Sequence, residues 1–306
     1  RKEYKMKENS IKYNALMNIL LTLSSLIFPL ISFPYVTRIL SVESLGQVNF
    51  MNSVGTYAIM FAGLGIGTYG IRACSLVRDN KEELSKTTHE LLFLKTISTT
   101  IVIIALFGSV LFVKKFQNTF SLLLLQIVLI ISNIFSLDWF FSGLEKYSYI
   151  TKRSILFKFV SLVLLILFVK KSNDAFLYSA ITVFSLSASY VCNLIYSRKF
   201  VSYKKQNNYN ISRHLRATFL LFAATLAVSI YTSLDTVMLG FINGDKDVGY
   251  YTVAVKVKTI LLSLVNAVSA VLLPRLSYYA NQNKRDEFLI LVKKSILVIS
   301  MLAIPM

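Results

Sequence analysis

The sequence predicts an all-α integral membrane protein, a polytopic helical bundle built as two pseudo-symmetric six-helix lobes. Three observations predict it: an apolar composition, a series of apolar stretches long enough to cross a bilayer, and basic residues sorted by loop. Of 306 residues, 55% are hydrophobic and 16% charged, and the mean hydropathy is +0.61. Soluble domains carry about a quarter charged residues, so a water-soluble enzyme of this length is excluded. Thirty-three Lys and Arg against 15 Asp and Glu give a net charge of +18, an excess often read as nucleic-acid binding. Position decides that question.

A helix crossing the hydrocarbon core needs about 20 mostly apolar residues. Eight complete candidates run roughly over 13–36, 47–71, 89–113, 119–143, 154–169, 174–197, 215–241 and 249–274. A ninth begins near 288 and is still apolar at Met306, while Arg1 opens the chain without an initiator Met. The expectation is a fragment cut inside a membrane helix, with residues 1–212 as the first lobe (spans 1 to 6) and 213–306 as a partial second lobe (spans 7 to 9). The first apolar stretch is too long for a cleavable signal peptide. The loops are too short for a separate catalytic domain.

Sorting Lys and Arg by loop places 21 on the side of the N-terminus, 6 on the opposite side and 6 within spans. The positive-inside rule then makes the N-terminus cytoplasmic. The charge is explained by topology and by attraction to anionic membrane lipids, and no nucleic-acid partner is expected.

An offset of 203 residues lays Gly46 on Gly249, Arg72 on Arg275 and Asn80-Lys81 on Asn283-Lys284. These matches mark the start, the end and the following loop of one span. If spans 7 and 8 repeat spans 1 and 2, the unit has six helices and the two copies are parallel repeats about an axis along the membrane normal, a transporter architecture. The basic segment from Arg198 to Arg216 becomes the linker between lobes.

Ionisable groups inside spans cost roughly 2.5 to 3.5 kcal/mol on insertion scales and tend to face a cavity or a partner. Lys95, Asp138 and Lys158 sit at similar depth in spans 3, 4 and 5. They form one charge cluster, or else the lysines snorkel to the interface while Asp138 caps a helix or pairs structurally. Asp235 in span 7 is close in depth to Lys256 and Lys258 in span 8, and Arg38 holds the corresponding place in span 1. A cavity between spans 1, 2, 7 and 8 would then be cationic and suit a diphosphate, which arginine holds bidentately; alternatively, Arg38 contacts lipid phosphate. Pro29 and Pro34 permit bending of span 1. The GxxxG at Gly63 and Gly67 reads as close helix packing or as a gate. Trp139, Phe140 and Phe141 read as an interfacial aromatic anchor.

Cys74 and Cys192 give at most one disulfide and no metal-ligand spacing, and His89 and His214 lie near no plausible nucleophile. No catalytic residue, metal site or cofactor is expected.

The runs Phe33-Pro34-Tyr35-Val36-Thr37-Arg38-Ile39-Leu40 with Leu45-Gly46-Gln47, and Tyr69-Gly70-Ile71-Arg72, resemble Wzx-type polysaccharide flippases of the multidrug/oligosaccharidyl-lipid/polysaccharide exporter superfamily. So do Asp138-Trp139-Phe140-Phe141-Ser142-Gly143-Leu144-Glu145, Asp235-Thr236-Val237-Met238-Leu239-Gly240, Val248-Gly249-Tyr250-Tyr251 and Leu273-Pro274-Arg275. The resemblance covers essentially the whole chain. It implies a lobed bundle in a bacterial inner membrane that moves an undecaprenyl-diphosphate-linked oligosaccharide from the cytoplasmic to the outer leaflet by alternating access. On this reading Arg38, Lys256, Lys258 and Arg275 engage diphosphate or acidic sugars, and Asp235 orients a basic neighbour. Lys95, Asp138 and Lys158 line an inner gate or relay a coupling ion, Na+ or H+. A polysaccharide polymerase is the expected protein partner. A cation-coupled drug exporter and a peptidoglycan-precursor flippase share the fold; a membrane-embedded sugar transferase would need an acid/base or metal constellation that these loops lack.

Overall fold

The computed structural model describes residues 11–204, 208–259, 262, 279, 282 and 285–303. Its helices are α1 (Ile11–Ile39), α2 (Val42–Gly63), α3 (Ile66–Val77), α4 (Lys81–Phe112), α5 (Lys114–Asn118), α6 (Phe120–Asn133), α7 (Asp138–Gly143), α8 (Tyr147–Phe168), α9 (Ala175–Ser197), α10 (Ser212–Ile242), α11 (245–259) and α12 (Arg285–Ala303). No strand occurs among the described residues. Six of these helical segments are long and apolar enough to cross a membrane: Tyr13–Ile39, Val42–Val77, Lys81–Phe112, Phe120–Gly143, Ala175–Ser197 and Ser212–Ile242. The shorter α8 carries Lys152, Arg153 and Lys158, yet it packs between α1 and α9. The protein is therefore an all-α, multi-pass membrane protein.

Local chemistry sets the boundaries. The Ser41 side chain accepts from the Ser44 amide at the start of α2, and Asn80 accepts from the amides of Glu82 and Glu83 at the start of α4. Both satisfy donors that a helix start leaves orphaned. The two acids of α4's first turn also face the positive end of its dipole. The expected second span is two helices: Leu64 and Gly65 take the left-handed conformation, with φ of 43° and 73°, and part α2 from α3. The expected fourth span is likewise divided, into α6 and α7. By contrast α1 runs through Pro29 and Pro34 as a single helix.

Residues Arg1–Tyr250 form one compact unit and Tyr251–Met306 a second. In the first unit α1 packs on α8, α8 on α9, α9 on α6 and α6 on α2, while α10 packs along α2 and α3. We call the Ile11 end of α1 the near side and the Ile39 end the far side. A near-side core joins Leu84, Leu91 and Ile150 to a train of aromatics running through Trp139, Phe140, Phe141 and Phe200. Trp139 is buried, with Gly70 against its ring, so it is a core residue and not the interfacial anchor expected from its position near a span end. A far-side core joins Val48, Phe50, Met51, Leu123 and Val248. Outward faces are apolar, with Tyr231 86% and Phe112 85% exposed; hydrocarbon rather than water covers such surfaces.

Two glycine expectations meet different outcomes. A Cβ on Gly63 or Gly67 would meet nothing within 4 Å. The GxxxG therefore mediates no close helix contact in the first unit, because the chain breaks at Gly65 between the two glycines. Gly65 itself is the tight position, pressed on the backbone of Thr218 and Phe222 in α10. At the far side a Cβ on Gly46 would overlap the Asp245 carbonyl oxygen, and one on Gly249 would overlap the Val42 carbonyl oxygen. The offset of 203 that relates the two glycines also relates Val42 to Asp245. The contact is thus reciprocal, as a local two-fold requires.

Candidate functional site: buried charge networks and polar cavities of the first unit

A charge network lies on the near side, on Glu90 of α4. Its side chain is fully buried, at a depth where a lone carboxylate is costly. Three residues around the start of α10 satisfy it. The Asn210 amide donates at 2.6 Å, Arg213 donates from Nη2 at 2.6 Å and from Nε at 3.0 Å, and His214 Nε2 lies at 2.8 Å. Arg213 also reaches Thr87 Oγ1 at 3.2 Å. The Tyr69 hydroxyl lies 2.8 Å from His214 Nδ1. Alongside, the Ser202 amide donates to Ser85 Oγ at 3.0 Å, and His89 Nδ1 lies 3.1 Å from the Tyr209 hydroxyl. The basic linker is therefore strapped onto α4 through a carboxylate that the sequence reading did not single out. Its signal was an acid inside a span together with the Arg213-His214 pair opening another.

Lys95 lies within electrostatic reach of Asp138, while Lys158 stands apart from both. Lys95 Nζ donates to the Asn133 carbonyl at 2.5 Å and to Ser136 Oγ at 2.7 Å. At the break between α6 and α7 that carbonyl accepts from the Ser136 amide at 2.9 Å, and the buried ammonium shares it. Asp138 pairs instead with Arg153, whose Nη2 lies 2.8 Å from Oδ1. Asn193 joins both: its amide donates to Asp138 at 3.1 Å and its oxygen accepts from Arg153 Nη1. Arg153, assigned to a loop by its neighbour Lys152, is buried in the bundle. Lys158 is separate, donating to Ser24 Oγ at 3.0 Å and Ser25 Oγ at 2.8 Å. It borders a cavity of about 260 Å³ between α1, α8 and α9.

On the far side Arg38 is exposed at the end of α1, and Pro29 and Pro34 lie on the same helix, Pro29 lining the Lys158 cavity. Asp235 is exposed on α10, its Oδ1 accepting from the Thr236 amide at 2.7 Å. Lys115 of α5 approaches Asp245 at 2.7 Å, sits 4.3 Å from the Phe50 ring and donates to the Gly240 carbonyl. It ties the far end of α10 to the first lobe, as Arg213 and His214 tie the near end. Lys256 and Lys258 belong to the second unit, half-buried and exposed respectively, and Arg275 lies outside the described residues. Between α2, α4 and α10 runs an apolar groove of about 600 Å³ lined by Tyr57, Phe61, Ile101, Leu234 and Phe241.

The match that decides the family is to the model described as "Polysaccharide biosynthesis protein", over residues 11–280. The chain belongs to this family. Two relatives, each named a putative O-antigen transporter, are 26% identical: that of Escherichia coli (strain K12) over 96% of this chain and 71% of its own, and that of Shigella dysenteriae over 87% and 67%. Among solved structures, the MATE multidrug transporter DinF-BH matches with a TM-score of 0.62 at 17% identity, covering 98% of this chain and 73% of that one. That likeness speaks for the fold alone. The family supports a membrane flippase or exporter serving polysaccharide biosynthesis, with no enzymatic role, in agreement with the Wzx-type motifs.

Proposed function

We propose that the protein flips an undecaprenyl-diphosphate-linked oligosaccharide from the cytoplasmic to the outer leaflet of the bacterial inner membrane by alternating access between lobes 1–212 and 213–306. The near side is cytoplasmic on this reading, as the basic loops require. The observation that carries it is the family match over 270 of the 306 residues, together with relatives named as O-antigen transporters. The chemistry agrees. Lipid-linked sugars need a hydrocarbon path for the tail, and the apolar groove between α2, α4 and α10 offers one. Their diphosphate needs cations, and Arg38, Lys256, Lys258 and Arg275 are the basic groups assigned to it.

Span 7 is the moving part that the geometry favours. It is fastened to the first lobe at its cytoplasmic end by Glu90 and at its outer end by Lys115 and the Gly46-Gly249 crossing. Opening a path on either side requires one fastening to release while the other holds. Lys95 and the Asp138-Arg153 pair then support the inner half of the first lobe instead of lining a shared gate. Coupling to Na+ or H+ remains part of the proposal. A drug exporter for cations would want free acids in its cavity; here Glu90 and Asp138 are both bound to arginines.

The test is genetic and chemical together. A strain lacking the gene accumulates lipid-linked repeat units on the cytoplasmic leaflet, and the full-length gene restores export. Export that survives Arg38→Ala unchanged would remove Arg38 from the diphosphate site.

A further inference from the structure

Lys158 poses a separate question. It lies midway along α8, and its partners Ser24 and Ser25 lie midway along α1, so its ammonium sits near the centre of the bilayer. No ion pair joins it to a carboxylate among the described residues: Asp138 is held by Arg153, Glu90 by Arg213. Ser24 and Ser25 give their own protons to the Leu21 carbonyl, at 2.7 and 3.0 Å, and only accept from the lysine. An ammonium has three donors, which leaves one pointing elsewhere.

The cavity beside it is lined by no carboxylate. Of the hydroxyls that line it, Thr182 donates to the Tyr178 carbonyl and Ser185 to the Phe157 carbonyl. Those of Ser32, Ser161 and Tyr178 make no hydrogen bond to another described residue. One ammonium, three hydroxyls without another partner and no carboxylate therefore belong to the residues that line these 260 Å³. Unmet donors and an unneutralised charge at this depth are costly, and a bound anion with several acceptor oxygens would satisfy both.

We propose that this cavity is an oxyanion site that binds a phosphate group through Lys158, Ser32, Ser161 and Tyr178. It is distinct from the cationic residues assigned to the space between the lobes. The phosphate could belong to a polyprenyl diphosphate, a phospholipid headgroup or a free ion; the chemistry is shared, and the test separates the sources.

Binding is measured by calorimetry on the purified full-length protein in detergent, with inorganic pyrophosphate, farnesyl diphosphate and short-chain phosphatidylglycerol as probes. Wild type should bind at least one of them, and Lys158→Met should weaken that binding tenfold or more. Ser32→Ala with Ser161→Ala should weaken it severalfold without changing charge. Dependence of all three probes on Lys158 means that the phosphate alone suffices; dependence of one names its source. The proposal is overturned if wild type binds none of the probes, or if Lys158→Met binds each within twofold of wild type. Should Lys158→Met fail to accumulate, an unchanged affinity in the double serine variant overturns it equally.

Discussion

Arg153 shows how a single residue changes meaning with burial. Next to Lys152, at the start of α8, it reads as one more basic loop residue. In the fold its side chain is 6% exposed and bound to Asp138 and Asn193. The Asp138 side chain is 47% exposed, so removing Arg153 costs less than the roughly 3 kcal/mol or more of a fully buried pair, and replacing both by apolar groups is close to neutral. Accordingly Arg153→Met should lower the denaturation midpoint of the full-length protein, and adding Asp138→Leu should recover most of the loss. The depth of Lys95 and Asp138 was legible in the sequence; their partners were not. Lys95 shares with the Ser136 amide the carbonyl of Asn133, the last residue of α6, and a helix break of that kind has no apolar-periodicity signal.

Among the elements, α3 and α10 carry the consequences of two such breaks. Gly65 combines a φ of 73° with close approach to the α10 backbone, so Gly65→Val should cost at least the roughly 1–3 kcal/mol of a strained backbone position. Gly67→Ala, in open space within α3, should be neutral or stabilise by up to about 1 kcal/mol through helix propensity. Thermal unfolding of both variants checks the pair, and a reversed order would restore the GxxxG packing reading. The linker ahead of α10 is held through Glu90. Glu90→Ala should therefore loosen it and raise trypsin cleavage at Arg198 and Lys199 several-fold, with Glu90→Gln intermediate. Equal protection in wild type and Glu90→Ala would mean that the strap bears no load. Glu90 escaped the sequence reading because a carboxylate one residue inside a span start looks like an interfacial group; only the fold places Asn210, Arg213 and His214 around it.

At the scale of the molecule, the topology was the most legible part. Span lengths and loop charges follow from bilayer thickness and membrane insertion, which act on the sequence directly. The 203-residue offset also had a physical counterpart, since Gly46 and Gly249 meet, each against the other's symmetry-related carbonyl. Closure at this crossing can be followed by linking Lys115→Cys to Asp245→Cys with a short bis-thiol reagent in a chain carrying Cys74→Ser and Cys192→Ser. The linked protein should lose export and regain it on cleavage of the linker. What the sequence could not supply is which basic groups face a shared space, because that depends on helix rotation rather than on spacing. Flipping is measured in the leaflet distribution of a lipid-linked oligosaccharide in liposomes containing the full-length protein. Movement to the opposite leaflet should run well above that in protein-free liposomes, and fall with Arg38→Ala. Equal rates with and without the protein would contradict it.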